Sequence, residues 1–146
     1  MRPFEENFAK MLARQSMKYE ELEKLVLDWG KNKGILDSST PLRQLEKTQE
    51  ELDETKAAVI KFMQSVDQTL LNGEDEETAI KNALEEVIDG IGDMYVTIIL
   101  FTALASQLTK TYLNKEIDSV ECLQAAYDEI KGRTGKMVNG LFVKDQ

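Results

Sequence analysis

Helical periodicity over most of its length is the feature that most constrains how this chain can fold. Only two prolines and eight glycines interrupt its 146 residues, and the alternating pattern of a half-buried strand is nearly absent. Apolar residues instead recur three and four positions apart, as on the buried face of an amphipathic helix. The sequence therefore predicts an all-α fold, and residues 1–146 fit the size of one domain.

Four helices are predicted from this periodicity and from their start and stop signals. Gly34 ends the first helix, and Thr40 is a suitable N-cap for the second. Asp118 and Glu121 form a capping pair for the fourth. The predicted helices run from about Tyr19 to Lys33, from Pro41 to about Leu71, from the cap Asp75 to about Tyr112, and from about Val120 to Lys131.

The segments outside these helices are predicted to be less regular. A further helical piece is expected around Phe4 to Gln15, and the segment Leu36–Pro41 is predicted to be a loop followed by the start of the second helix. The basic tail over residues 132–146 contains three glycines and is expected to be irregular.

The apolar run from Met94 to Ala105 in the third helix indicates a helix that is buried on most sides. Four helices of one copy cover such a run with difficulty, so we expect a homo-oligomer whose interface covers part of it. The alternative is a central helix in a monomeric bundle. A run of about a dozen residues is shorter than the roughly 20 needed to cross a bilayer, so no membrane span is expected.

Charge and cysteine content narrow the class of partner and the compartment. The formal net charge of −9 argues against binding to a nucleic-acid duplex, but a small polyanion remains possible if a metal ion binds the acidic side chains first. No histidine is present, which excludes histidine catalysis and histidine metal sites. The lone Cys122 and the acidic start of the sequence favour a soluble protein in the cytoplasm.

Three acidic residues share one face of the second helix. At about 100° per residue, Glu50 and Glu54 lie about 40° apart, and Glu51 and Glu54 lie about 60° apart. Taken alone, a solvated acidic surface explains this pattern better than a binding site does.

The third helix carries a stronger signal, because Glu86, Asp89 and Asp93 form one acidic stripe interrupted by Gly90 and Gly92. Each glycine costs about 1 kcal/mol relative to alanine in a helix interior. This loss indicates a close helix approach or room for a ligand. Asp93 also borders the apolar run, where an ionised carboxylate needs a partner. Carboxylates without histidine or cysteine select Mg²⁺ or Mn²⁺.

At these residues the sequence resembles the MazG-like all-α nucleoside triphosphate pyrophosphohydrolases, a superfamily that includes dimeric dUTPases and phosphoribosyl-ATP pyrophosphohydrolase. Its mark is a Glu-Glu-x-x-Glu helix followed by a helix with Glu-x-x-Asp or a similar pattern. Residues 50–54 match the first element. Asp93 fits the final Asp of the second element, but Gly90 stands where the Glu is expected. Either Glu86 or Asp89 would take its place.

The resemblance covers roughly residues 19 to 144. The stretch from Ala126 to Met137, continuing from Gly140 to Lys144, is similar to the tails of phage-borne and prophage-borne members. The part before the Glu pair resembles the helix–loop–helix of such proteins through Trp29, Lys33, Gly34, Ile35, Gln44 and Lys47.

The resemblance implies a four-helix MazG-like bundle, usually dimeric or tetrameric. It also implies hydrolysis of a nucleoside triphosphate between the α and β phosphates, giving a monophosphate and pyrophosphate. Mg²⁺ is the expected cofactor, with Mn²⁺ possible. The candidate metal ligands are Glu51, Glu54, Glu86, Asp89 and Asp93. The candidate general bases, chosen by position, are Glu50 and Glu54. The candidate substrate-binding residues are Lys47, Gln44, Trp29, Arg133 and Lys136, with Lys144 as a further tail cation.

Other interpretations of the same residues remain open at this point. The acidic helices would also suit a non-enzymatic interaction or assembly protein, and a narrow dUTP or phosphoribosyl-ATP pyrophosphatase would carry the same acidic residues. Trp29 is more often a core residue than a base-stacking one. The tail cations have ordinary solvated charge as their alternative.

Overall fold

In the computed structural model, residues 5–6, 9–10, 17–72 and 77–146 are described. The helices are α1 (Tyr19–Asn32), α2 (Ile35–Ser38), α3 (Pro41–Asn72), α4 (Glu77–Leu113) and α5 (Ser119–Ile130). The strands are β1 (Gly135–Val138) and β2 (Leu141–Lys144). The chain is therefore mostly helical, as the periodicity predicts.

The chain forms two compact units, Met1–Leu104 and Ala105–Gln146. The boundary falls inside α4, so one continuous helix contributes to both. The first unit contains α1, α2 and α3 with most of α4, and the second contains the end of α4, α5 and the two strands. The expectation of one domain stays a prediction, because a helix that continues across the boundary is compatible with one domain or two.

Hydrogen bonds at the helix starts confirm two of the predicted caps. The Thr40 hydroxyl accepts from the backbone N–H of Arg43 at 3.2 Å, and the Asp118 carboxylate accepts from the backbone N–H of Glu121 at 2.8 Å. The Glu121 carboxylate forms an ion pair with Lys115 at 2.7 Å. The predicted Asp75 cap and most of the predicted piece from Phe4 to Gln15 lie outside the described residues.

The prediction of a loop over Leu36–Pro41 is wrong in its first half, because α2 lies there. The backbone N–H of Ser38 donates to the Gly34 carbonyl at 3.0 Å, and that of Ser39 donates to the Ile35 carbonyl at 2.8 Å. A single helical turn is too short to show the apolar periodicity of a helix, and its polar residues are typical of a loop.

The prediction of an irregular tail is also wrong, because β1 and β2 form an antiparallel hairpin in which Met137 faces Phe142 and Val138 faces Leu141. Asn139 and Gly140 form the turn, with φ angles of 50° and 80°. Positive φ at both central residues is the geometry of a type I′ turn, for which Asn-Gly is the preferred sequence. The hairpin could therefore have been predicted from this dipeptide between two apolar runs.

The core of the first unit is built from small and aliphatic side chains of α3 and α4. Its buried hydrophobic residues are Ala58, Ala83, Ile99, Leu100 and Leu104. A hydrogen bond of 2.9 Å joins the hydroxyls of Thr48 and Thr97 between the two helices. The Thr97 hydroxyl donates to the Met94 carbonyl at 2.8 Å, so this buried polar contact is satisfied.

α3 and α4 approach each other closely at Thr55 and Gly90. A methyl group on Gly90 would lie 2.5 Å from the Thr55 hydroxyl oxygen and 3.3 Å from the Thr55 Cα. Thr55 is itself buried, and its hydroxyl donates to the Glu51 carbonyl at 2.6 Å. Among the described residues, no atom other than those of the neighbouring residues and of the backbone of α4 itself lies within 4 Å of the same position on Gly92. Close packing thus accounts for Gly90, whereas Gly92 borders open space.

α4 is, among the described residues, the one helix long and apolar enough to cross a membrane by length and composition. The core helix of a soluble protein meets the same criterion. The expectation that the chain has no membrane span stays a prediction.

Gly90→Ala is expected to destabilise the protein by about 1–3 kcal/mol, because the added methyl group displaces α3 from α4 at Thr55. Gly92→Ala is the matched control on the same helix. It should leave stability unchanged or raise it by up to about 1 kcal/mol, because alanine is the better helix former. Urea unfolding of both variants measures the difference, and equal stabilities would contradict the close approach.

Candidate active site

A cleft of about 350 Å³ lies between α3 and α4, and we call it the acidic cleft. It is lined by Glu54, Ala57, Ala58 and Lys61 from α3 and by Glu86, Asp89, Gly90 and Asp93 from α4. Four of the five predicted metal ligands therefore line one cleft. Their convergence from two facing helices is the arrangement that the acidic stripes predict.

Helical spacing and one glycine explain why these side chains meet. Glu86, Asp89 and Asp93 recur at three and four positions, so they follow one face of α4. Glu54 and Lys61 are seven positions apart, which places them within about 20° of each other on α3. Without a side chain, Gly90 lets the two faces come together.

Glu51, the fifth predicted ligand, is buried beside the cleft and is held by a lysine of its own helix. The residue is 8% exposed, and its carboxylate lies 3.1 Å from the Lys47 ammonium. Lys47 also pairs with Glu50 at 2.8 Å. The hydrogen bonds to Glu50 and Glu51 raise the pKa of Lys47 above its usual range, so Lys47 stays positively charged beside these two carboxylates.

Asp93 experiences both burial and the negative charge of its neighbours. Partial burial raises the pKa of Asp93 above its ordinary value, and the charges of Asp89 and Glu51 raise it further. The Lys47 charge lowers it in part. The carboxylates of Asp89 and Glu51 are thus each close enough to Asp93 to disfavour its negative charge.

Two of the predicted metal ligands form ion pairs with lysines. Lys47 pairs with Glu51, and Lys61 pairs with Glu86 across the two helices at 3.0 Å. Within the described part of the chain, no group of three or more carboxylates is close enough to hold one ion together. A metal ion would therefore have to draw these carboxylates closer to one another.

A second cleft of about 330 Å³, the apolar cleft, lies between α1 and α4. Its lining residues are Leu22, Leu25, Val26, Trp29, Asp93 and Val96. Trp29 is 47% exposed, so its ring is available at the cleft surface instead of being enclosed in the core. Asp93 lines both clefts, which makes it the carboxylate that joins the acidic surface to the apolar one.

The remaining predicted site residues lie in other surroundings. Gln44 is buried, and its amide donates to the Ser39 hydroxyl at 3.1 Å, where it supports the start of α3. Glu50 is exposed and pairs with Lys47. Arg133 and Lys136 belong to the second unit, where Arg133 pairs with Glu129 at 2.8 Å and Lys136 is exposed on β1.

Lys61 is a residue of the acidic cleft that the sequence analysis missed. Its position two helical turns after Glu54 was the available signal, since residues seven apart share a helix face. That signal is weak alone, because the sequence does not say which part of α3 faces α4.

Comparison with known proteins identifies no relative of this chain. No family model matches it, and neither a curated protein nor a solved structure matches it. The resemblance to the MazG-like proteins therefore stays a prediction that depends on the acidic residues themselves.

Asp93→Asn is expected to raise the free energy of unfolding at pH 7 in metal-free buffer. The folded protein holds the Asp93 proton more tightly than the unfolded chain does, because the folded pKa lies above the ordinary value of 3.8. Ionised Asp93 therefore destabilises the fold progressively as the pH rises from that value through the folded pKa. The gain from asparagine should disappear at pH values below the ordinary pKa.

Urea unfolding with a chelator at several pH values measures this gain. Asp67→Asn is the control, because it removes the same charge from an exposed position of α3. An equal gain in both variants, or a gain for Asp93→Asn that does not change with pH, would contradict the raised pKa of Asp93 in the folded protein.

Proposed function

We propose that the protein is a Mg²⁺-dependent nucleoside triphosphate pyrophosphohydrolase of the MazG-like type. It would hydrolyse a nucleoside triphosphate between the α and β phosphates in the cytoplasm, releasing a nucleoside monophosphate and pyrophosphate. Mn²⁺ would be an alternative cofactor. The observation that carries the proposal is the position of Asp93, which lines both the acidic cleft and the apolar cleft. A nucleotide has an anionic phosphate chain, which a metal ion held in the acidic cleft would bind, and a planar base, which the apolar cleft would accommodate.

The acidic side chains suit a hard divalent cation. Oxygen ligands from carboxylates are those that Mg²⁺ and Mn²⁺ prefer. Burial raises the pKa of Asp93 most, and the charges of Asp89 and Glu51 raise it further; such an ion would offset these charges. Bound Mg²⁺ would neutralise charge on the phosphate oxygens and lower the pKa of a bound water. The residues that would hold it are Glu51, Glu54, Glu86, Asp89 and Asp93.

Of the two candidate bases, the surroundings favour Glu54. Its side chain lines the acidic cleft, whereas Glu50 is engaged with Lys47 at 2.8 Å. A general base must reach the proton it removes directly or through one water. Glu54 is accordingly assigned to accept a proton from the attacking water, with Glu50 positioning Lys47.

The substrate contacts are divided between the two clefts. Trp29, Leu25 and Val96 offer an apolar surface on which a base can stack, and aromatic stacking tolerates every base because each has a π-face. Lys47 is assigned to the phosphates, since it is a permanent cation beside Glu51.

With Mg²⁺ and a panel of nucleoside triphosphates that includes dUTP and phosphoribosyl-ATP, the protein is expected to release pyrophosphate. Glu54→Gln and Asp93→Asn should each lower that rate about 100-fold or more, a loss typical for removal of a charge-stabilising group. Glu85→Gln is the matched control, because Glu85 is an exposed acid of α4 that does not line the cleft. Pyrophosphate is measured with a coupled assay, and melting curves confirm that each variant is folded.

Two outcomes would overturn the proposal. Orthophosphate as the primary product would exclude cleavage between the α and β phosphates. Absence of any thermal stabilisation by Mg²⁺ with a non-hydrolysable triphosphate would favour a non-enzymatic acidic interaction protein, because a ligand at 100 times its dissociation constant adds about 2.7 kcal/mol.

We also propose that the protein is a homodimer or homotetramer. On α4 an apolar stripe at a spacing of three and four residues is left uncovered in the single chain. It consists of Ile88, Ile91, Tyr95 and Ile98, which are 36%, 43%, 55% and 45% exposed. This spacing is that of helix seams that pack against a second helix. A second copy of α4 offers the same stripe and supports a symmetric contact.

Ile98→Glu is expected to shift the protein from an oligomer to the monomer mass of 16.6 kDa, because it adds a charge within the apolar stripe. Thr78→Glu adds the same charge to an exposed position of α4 before the stripe begins, and it should leave the mass unchanged. Light scattering after gel filtration measures both. A monomeric wild-type protein would contradict the oligomer, and recovery only in detergent would indicate a membrane contact for α4 instead.

A further inference from the structure

Lys61 places a positive charge inside a cleft that otherwise presents carboxylates. Of the described residues that line the acidic cleft, it is the only basic one. Its ammonium lies 3.0 Å from a Glu86 carboxylate oxygen, and this ion pair connects α3 with α4 across 25 positions of the sequence. Lys61 therefore neutralises one of the candidate ligands of the cleft.

The pair between Lys61 and Glu86 is weak enough to be exchanged. The two side chains are 61% and 50% exposed, and exposed ion pairs contribute only about 0–1 kcal/mol. A lysine ammonium has three donors on a flexible stem, so it can change partners without movement of the backbone. The contact is thus suited to a temporary partner and contributes little to holding the helices together.

Lys47 and Lys61 differ in how firmly they are held. Lys47 has two carboxylate partners, Glu50 at 2.8 Å and Glu51 at 3.1 Å, whereas among the described residues Lys61 forms an ion pair with one carboxylate, that of Glu86. Loss of that one contact leaves Lys61 available in the cleft. The same loss leaves Glu86 available as an oxygen ligand.

We propose that Lys61 is an exchangeable cation of the acidic cleft, which pairs with Glu86 in the metal-free protein and binds a phosphate oxygen of the substrate once a divalent ion is held by the carboxylates. This inference rests on the proposed function, because it assigns a phosphate-binding role within the same site. Lys61 competes with the metal ion for Glu86 and cooperates with it for the triphosphate. The two effects have opposite signs.

The opposite signs allow a sharp test with Lys61→Gln. Melting curves with Mn²⁺ or Mg²⁺ alone should give an apparent dissociation constant a few-fold lower than in the wild type, because the competing cation is gone. With the metal ion and α,β-methylene-ATP, binding of the nucleotide should weaken about tenfold, the loss of one charged contact. Lys61→Arg, which keeps the charge, should restore most of the nucleotide binding.

Lys56→Gln is the matched control, since Lys56 is exposed on α3 and does not line the cleft. It should leave both constants unchanged. The proposal is overturned if Lys61→Gln leaves the metal constant unchanged, weakens metal binding, or leaves nucleotide binding unchanged. It is likewise overturned if neither the wild type nor Lys61→Gln binds metal.

Failure of the proposed function gives a different result. If the two shifts of opposite sign are found while no pyrophosphate is released, then Lys61 exchanges between Glu86 and phosphate in a site that binds nucleotides without hydrolysing them. If pyrophosphate is released and the shifts are absent, the hydrolase proposal stands and the role of Lys61 is wrong.

Discussion

The contact between Gly90 and Thr55 sets the distance between α3 and α4, and the acidic cleft depends on that distance. Any side chain at position 90 would collide with Thr55, whose hydroxyl oxygen lies 2.5 Å from the place of a Cβ atom. The packing thus requires glycine at the position where the predicted MazG-like pattern would have a glutamate. A carboxylate there does not fit at this helix separation, and Asp89 and Asp93 flank the contact instead.

The close helix approach brings an electrostatic cost that the structure offsets only in part. Partial burial and the charges of Asp89 and Glu51 disfavour ionised Asp93. Lys47 and Lys61 reduce the excess negative charge at Glu51 and Glu86. Asp93, which lines both clefts, therefore keeps a raised pKa. Perturbed pKa values of this kind are more common at functional sites than on ordinary surfaces.

Local signals predicted most of the fold, and tertiary contacts account for what was missed. Thr40 and Asp118 cap their helices as predicted because a cap involves only neighbouring residues. The acidic stripe on α4 was readable because it needs only the helical period. The position of Lys61 in the acidic cleft and the apolar cleft around Trp29 could not be predicted in this way, since both depend on which faces of separate helices meet. The hairpin at Asn139 is different, because its turn signal was present and was overlooked.

The arrangement of α4 makes the proposed site compatible with the proposed oligomer. Asp93 lies about 160° around the helix from Ile91 and Tyr95, and about 140° from Ile88 and Ile98. The acidic face and the exposed apolar stripe are therefore on nearly opposite sides of one helix. A second copy that covers the stripe would leave the acidic cleft open to substrate.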